Sequence, residues 1–114
     1  MSAVRAQTFL WLAQRGSAAV LALAVVVHLA TMIVAVRGGL SAAEILERTR
    51  GSVGWALFYG IFVLAVAVHA PIGLRAIFAE WVGLRGRATD LALALIALAL
   101  LASGLRAVYA VTRA

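Results

Sequence analysis

Two histidines stand in stretches too apolar for a free imidazole: His28 within Ser17–Val36, and His69 near the end of Val53–Leu74. A polar ring in hydrocarbon is costly enough to mark a functional site, and neutral imidazole is the commonest protein metal ligand. His69 opens the heptapeptide His69-Ala70-Pro71-Ile72-Gly73-Leu74-Arg75. Pro71 removes one backbone hydrogen bond and predicts a kink beside the ring. Positions three, four and seven away share the face of His69, and they include Phe62, Ala65, Val66, Gly73 and Ala76. Ala65 and Gly73, one turn to either side, leave room for a flat macrocycle to approach the backbone, or for close helix packing. There is no cysteine, which excludes disulfides, a Cys-ligated iron–sulfur cluster and covalent haem attachment through C-x-x-C-H. The chemistry this predicts is axial ligation of a noncovalently held haem iron by His69.

Arg75 lies about 9 Å beyond His69 along a helix axis, close to the water interface. Arg15, just before Ser17, belongs to the same membrane face. Each is placed to reach a haem propionate or an anionic headgroup, and each would also serve as an ordinary positive anchor. His28 is about 18 Å from Gly16 along its helix, twice the depth of His69 from that face. One iron shared by both rings of a single chain is therefore not expected. Separate roles follow, with missing ligands supplied by another subunit or a symmetry mate, or with His28 hydrogen-bonded to a neighbouring helix.

The elements that must position these groups follow from composition. Of 114 residues, 66% are hydrophobic and 12% charged, and mean hydropathy is +1.10, which places the chain among integral membrane proteins. A single membrane domain over 1–114 is expected. The net charge of +6 comes from ten arginines and reads as interfacial anchoring, not as nucleic-acid binding. Twenty apolar residues match a hydrocarbon core of about 30 Å. Three transmembrane helices result, over about 17–36, 53–74 and 91–112, with Arg106 snorkelling in the third. The first is read as retained, because its run exceeds the apolar core of a signal peptide. Residues 1–14 read as a short interfacial helix anchored by Trp11. Arg37-Gly38-Gly39 ends the first span. Ser41-Ala42-Ala43-Glu44 is a capping box opening a short interfacial helix, with Leu40, Ile45 and Leu46 toward the membrane. Between spans two and three, Trp81 to Asp90 reads as a basic loop in which a hydroxyl or carboxylate, Thr89 or Asp90, caps span three. Arginines divide five against five between the two faces, so charge does not orient the chain.

With these features on the page, the chain resembles the small cytochrome b membrane anchors of succinate dehydrogenase and fumarate reductase, over residues 11 to 81. His69-x-x-x-Gly73-x-Arg75 is similar to the haem-ligand signature of that family, Arg15-Gly16-Ser17 resembles its Arg-x-Ser before span one, and the three-span layout agrees. The chain departs from the pattern at Ala76, where many relatives carry histidine, and at Trp11 and Gln14, where they carry serine and histidine. The resemblance implies a subunit of the bacterial inner membrane that binds a flavoprotein and an iron–sulfur protein, holds haem b through His69 and helps form a quinone site. It further implies that Arg15 and Arg75 face propionates or quinone, with Ser17 near the quinone pocket. His28 resembles the first-span ligand of the two-haem branch, whose anchors usually have five spans. A three-span chain would then need a second anchor subunit or self-association. Two other readings stand beside this one: a cofactor-free anchor or assembly protein, and the cytochrome b subunit of another quinone-linked dehydrogenase.

Overall fold

A computed structural model describes residues 2–113; Met1, the start of the expected leader, and Ala114 lie outside them. In lipid every backbone N–H and C=O must be paired within the chain, so apolar stretches of this length fold as helices. Helix α1 is Ala3–Arg37, α2 is Ala42–Thr49, α3 is Val53–Ile77 and α4 is Arg87–Thr112. A π-helical turn, Phe78–Val82, continues α3. Among the described residues there are three helices long and apolar enough to cross a membrane, and α2 lies in the first loop.

Serine caps begin three of the four helices. Ser2 Oγ accepts from the Arg5 amide at 3.2 Å and Ser52 Oγ from that of Trp55 at 3.1 Å. The expected capping box of α2 is formed in both directions: the Glu44 amide donates to Ser41 Oγ at 3.2 Å and the Ser41 amide to Glu44 Oε1 at 3.3 Å. Gly39, with φ of 66°, turns the chain out of α1 in a conformation that side chains resist.

Two boundaries differ from the sequence reading. Residues 3–14 are not a separate interfacial helix; they continue α1 without a break. No proline interrupts them, and the lone Gly16 costs a helix only about 1 kcal/mol. At 35 residues α1 is about 52 Å long, matching the 50 Å long axis of the molecule and exceeding the hydrocarbon thickness. The loop after span two is also shorter than Trp81–Asp90, because helical structure runs through Val82. Neither Thr89 nor Asp90 caps α4. Gly86 occupies the N-cap with no side-chain bond, and Asp90 turns to Arg75 instead.

Helix α3 is central, packing on α1 along one side and on α4 along another. The α3–α4 approach is close at Gly104, where an added Cβ would stand 2.5 Å from Val63 Cγ1. At the far end α2 and the turn after it satisfy carbonyls that α4 leaves unpaired: Thr49 Oγ1 donates to Val111 O at 2.7 Å, and the Gly51 amide donates to Thr112 O. The buried apolar residues are few, namely Ala24, Ala65 and Leu93. Most of the large apolar side chains face outward, toward lipid or protein.

Candidate functional site

Both histidines lie on the seam between α1 and α3, which run antiparallel in constant register. Near one end Gly73 faces Gln14, with 3.2 Å between Gln14 Nε2 and the position a Cβ would take. One turn further, Ser17 Oγ stands 3.3 Å from His69 Nδ1. Eleven residues on along α1, His28 Nδ1 stands 3.3 Å from the hydroxyl of Tyr59, ten residues before His69 on α3. That places the two imidazoles about 16 Å apart along the seam, at separate depths as expected but further apart than the difference of about 9 Å between the sequence distances.

The surroundings of the two rings differ. Ser17 is 8% exposed and its hydroxyl also bonds the Gln14 carbonyl one turn back at 3.1 Å, so the His69 end is closed by α1. Ala65 is buried and Gln14 fills the face of Gly73, so the small residues admit a helix, whose packing gains from backbone proximity. His28 instead borders a cavity of about 480 Å³. Phe62, Val63 and Val66 of α3, Ser103, Gly104 and Ala107 of α4 and Leu46 of α2 complete much of its wall. The ring is edge-on to Tyr59 and Phe62, at centroid distances of 5.6 and 5.8 Å, and Trp55 stacks on Tyr59 at 5.6 Å. Ser103 and Thr49 spend their hydroxyl protons on backbone carbonyls. That leaves the imidazole and the Tyr59 hydroxyl it meets as the polar side-chain groups of the wall not bonded to a backbone carbonyl.

The two expected arginines do not converge. Arg75 Nε donates to Asp90 Oδ1 at 3.1 Å in an ion pair about half exposed on both sides. It lines a second cavity, of about 510 Å³, with Trp11, Gln14, Ala76 and Glu80. Arg15 lies over the ring of Trp11, its guanidinium carbon 5.4 Å from the centroid, a cation–π contact. Gln14 Oε1 is buried without a hydrogen-bond partner.

Sequence reasoning did not single out Tyr59 as the partner of His28, nor Asp90 as that of Arg75. The first was discoverable: once Ser17 faces His69, an antiparallel pair of straight helices brings position 28 to the level of 58 or 59. The second was not, because it depends on how the loop 83–86 folds α4 back. Among the described residues no three of His, Cys, Asp and Glu converge on one point. A porphyrin brings its own nitrogens and leaves the protein only the axial positions, so isolated imidazoles are the donor pattern it needs.

Neither a curated protein nor a solved structure matches the chain. Residues 1–105 match the family model described as the succinate dehydrogenase/fumarate reductase transmembrane subunit; with nearly the whole length covered and three membrane-crossing helices in place, the chain belongs to that family.

Proposed function

We propose that this chain is the haem b-carrying membrane anchor of a succinate dehydrogenase or fumarate reductase complex in a bacterial inner membrane. It would connect an iron–sulfur and a flavoprotein subunit to membrane quinone. The observation that carries the reading is His28 at the wall of an apolar cavity inside a membrane bundle, joined by His69 at another depth of the same seam.

The apolar cavity beside His28 fits the group, whereas His69 is closed over by α1 on the side of Ser17. His28 would hold it through the ring nitrogen that Tyr59 does not meet, and His69 would hold a second one through the nitrogen that Ser17 does not meet. Haem supplies one-electron exchange when bound, within a range set by ligands, burial and hydrogen bonds. The chain itself contributes orientation and dryness. Phe62, Val63 and Val66 exclude water from the space beside His28, and the edge-on contacts of Tyr59 and Phe62 fix its ring plane. With about 16 Å between them along the seam, the two imidazoles would serve different haems, each completed by a second anchor subunit or another copy of this chain. Arg75, beside Gln14 and Trp11 in the second cavity, is the cation for a propionate or a quinone oxygen, once it exchanges Asp90 for that partner. Arg15 would act as an interfacial anchor on Trp11.

The test is a reduced-minus-oxidised spectrum of the complex purified through this chain. Wild type is expected to show b-type bands, His69→Ala to lose those of one haem and His28→Ala those of another. Full signal in both variants, or none in wild type, refutes the haem reading and favours a cofactor-free anchor. Copurification of a covalent-flavin subunit separates this complex from other quinone-linked dehydrogenases.

A further inference from the structure

We infer that Arg48, on the short helix α2, is the counter-charge for the anionic edge of the haem at His28, the residue that receives its propionates. The inference rests on the haem reading above and gives a role to a charged residue which that reading leaves unused.

The cavity beside His28 is mostly apolar, and no carboxylate or guanidinium among the described residues borders it. A porphyrin ring suits such a space. Its two peripheral carboxylates do not, because an ionised group taken out of water needs a partner of opposite charge. An adjoining cavity, of about 390 Å³, shares His28, Ile45, Thr49 and Tyr59 with the first. The chain has ten arginines, and of these Arg48 alone borders either space. Among the side chains that the adjoining wall adds, Thr31 spends its proton on the His28 carbonyl at 2.7 Å, and Trp55 offers only a neutral indole N–H. Arg48 is exposed, so it stands where the cavity meets the membrane surface, the place at which a ligand with an apolar body and an anionic edge must end.

Helix α2 holds this residue at the border. Ser41 and Glu44 cap its start, and Thr49, next to Arg48, is bonded to the Val111 carbonyl of α4. The local alternative is an i to i+4 pair of Glu44 with Arg48, and it is not formed. Glu44 accepts from the Ser41 amide instead, and the one ion pair among the described residues joins Arg75 to Asp90. The guanidinium of Arg48 is left with a planar fork of donors that matches a carboxylate in both charge and geometry.

The test is a redox titration of the complex purified through this chain, following the b-type bands that His28→Ala removes. A cation beside a propionate favours the reduced haem, which carries one positive charge fewer. Arg48→Gln places a good helix former on an exposed position and should lower the midpoint potential of that haem. A tenfold change in the oxidised-to-reduced ratio reads as about 59 mV for one electron. Arg48→Lys keeps the charge and should stay nearer wild type, while the His69-dependent bands should not move in either variant. With haem ¹³C-labelled at the propionates, infrared difference spectra should show the carboxylate bands shifted in Arg48→Gln, and transfer of this haem to apomyoglobin should be several-fold faster. A His28-dependent haem whose potential and carboxylate bands ignore Arg48→Gln overturns the inference and makes Arg48 a headgroup anchor. Equal shifts of both haems overturn it too, because they report a change of surface charge and not a contact. A wild-type complex without His28-dependent bands refutes the haem reading at this site and the inference with it.

Discussion

Gly104→Ala tests whether α3 and α4 really touch where the cavity of His28 begins. The new methyl would lie 2.5 Å from Cγ1 and 2.9 Å from Cγ2 of Val63, against a favourable carbon–carbon separation of about 3.5–4.0 Å. The shortfall is about 1 Å. Val63 cannot turn aside, because a β-branched side chain in a helix has one strongly preferred rotamer, so the helices must separate. Overpacking of this kind costs about 1–3 kcal/mol, and in a bilayer no compensating hydrophobic gain between helices offsets it. Val63→Ala alone removes packing contacts worth only about 0.1–0.2 kcal/mol per atom pair. In the double variant the methyl added at position 104 takes space left by the two methyls removed at position 63, so the pair should be less destabilised than the sum of the singles by about 1–2 kcal/mol, within the range for residues in contact. Reversible unfolding in mixed micelles, run on the four proteins of the cycle, measures this coupling. Both residues border the space beside His28, so Gly104→Ala should also broaden the His28-dependent absorption and leave the His69-dependent bands in place. A single variant as stable as wild type, with additive effects in the cycle, would refute the close approach and the cavity wall built on it.

Two further outcomes follow from the ends of the bundle. Asp90→Asn breaks an ion pair whose partners are about half exposed; such pairs contribute about 0–1 kcal/mol, so the unfolding midpoint should barely move, whereas a loss of several kcal/mol would mean that the pair holds α4 to α3. Thr49→Val keeps the shape of a buried side chain but removes its bond to the Val111 carbonyl; amide exchange at Gly51, which bonds the next carbonyl, should accelerate several-fold for a loss of about 1 kcal/mol, and unchanged exchange would show that α2 is held by its apolar face alone.

The number of spans, the capping box of α2, the end of α1 at Gly38-Gly39 and the different depths of the two imidazoles were all legible in the chain. Each rests on a local or one-dimensional property: run length against bilayer thickness, the reach of a serine across one helical turn, and a rise of 1.5 Å per residue. The leader was read as a separate interfacial helix anchored by Trp11, although no proline there ends a helix.

What the tertiary structure alone decided is which faces meet. Helices rich in Ala, Leu and Val are apolar on every side, so periodicity does not say which stripe packs on a neighbour and which meets lipid. The space around Ala65 and Gly73 had two possible occupants, a macrocycle or a helix, and the packing of α1 against α3 fills it with Gln14. The same packing brings Ser17 to His69 and Tyr59 to His28, and the return of α4 gives Arg75 to Asp90, apart from Arg15 over Trp11. Side chains 52 and 31 residues apart are joined by helix register, a property of two surfaces in contact that neither segment carries by itself.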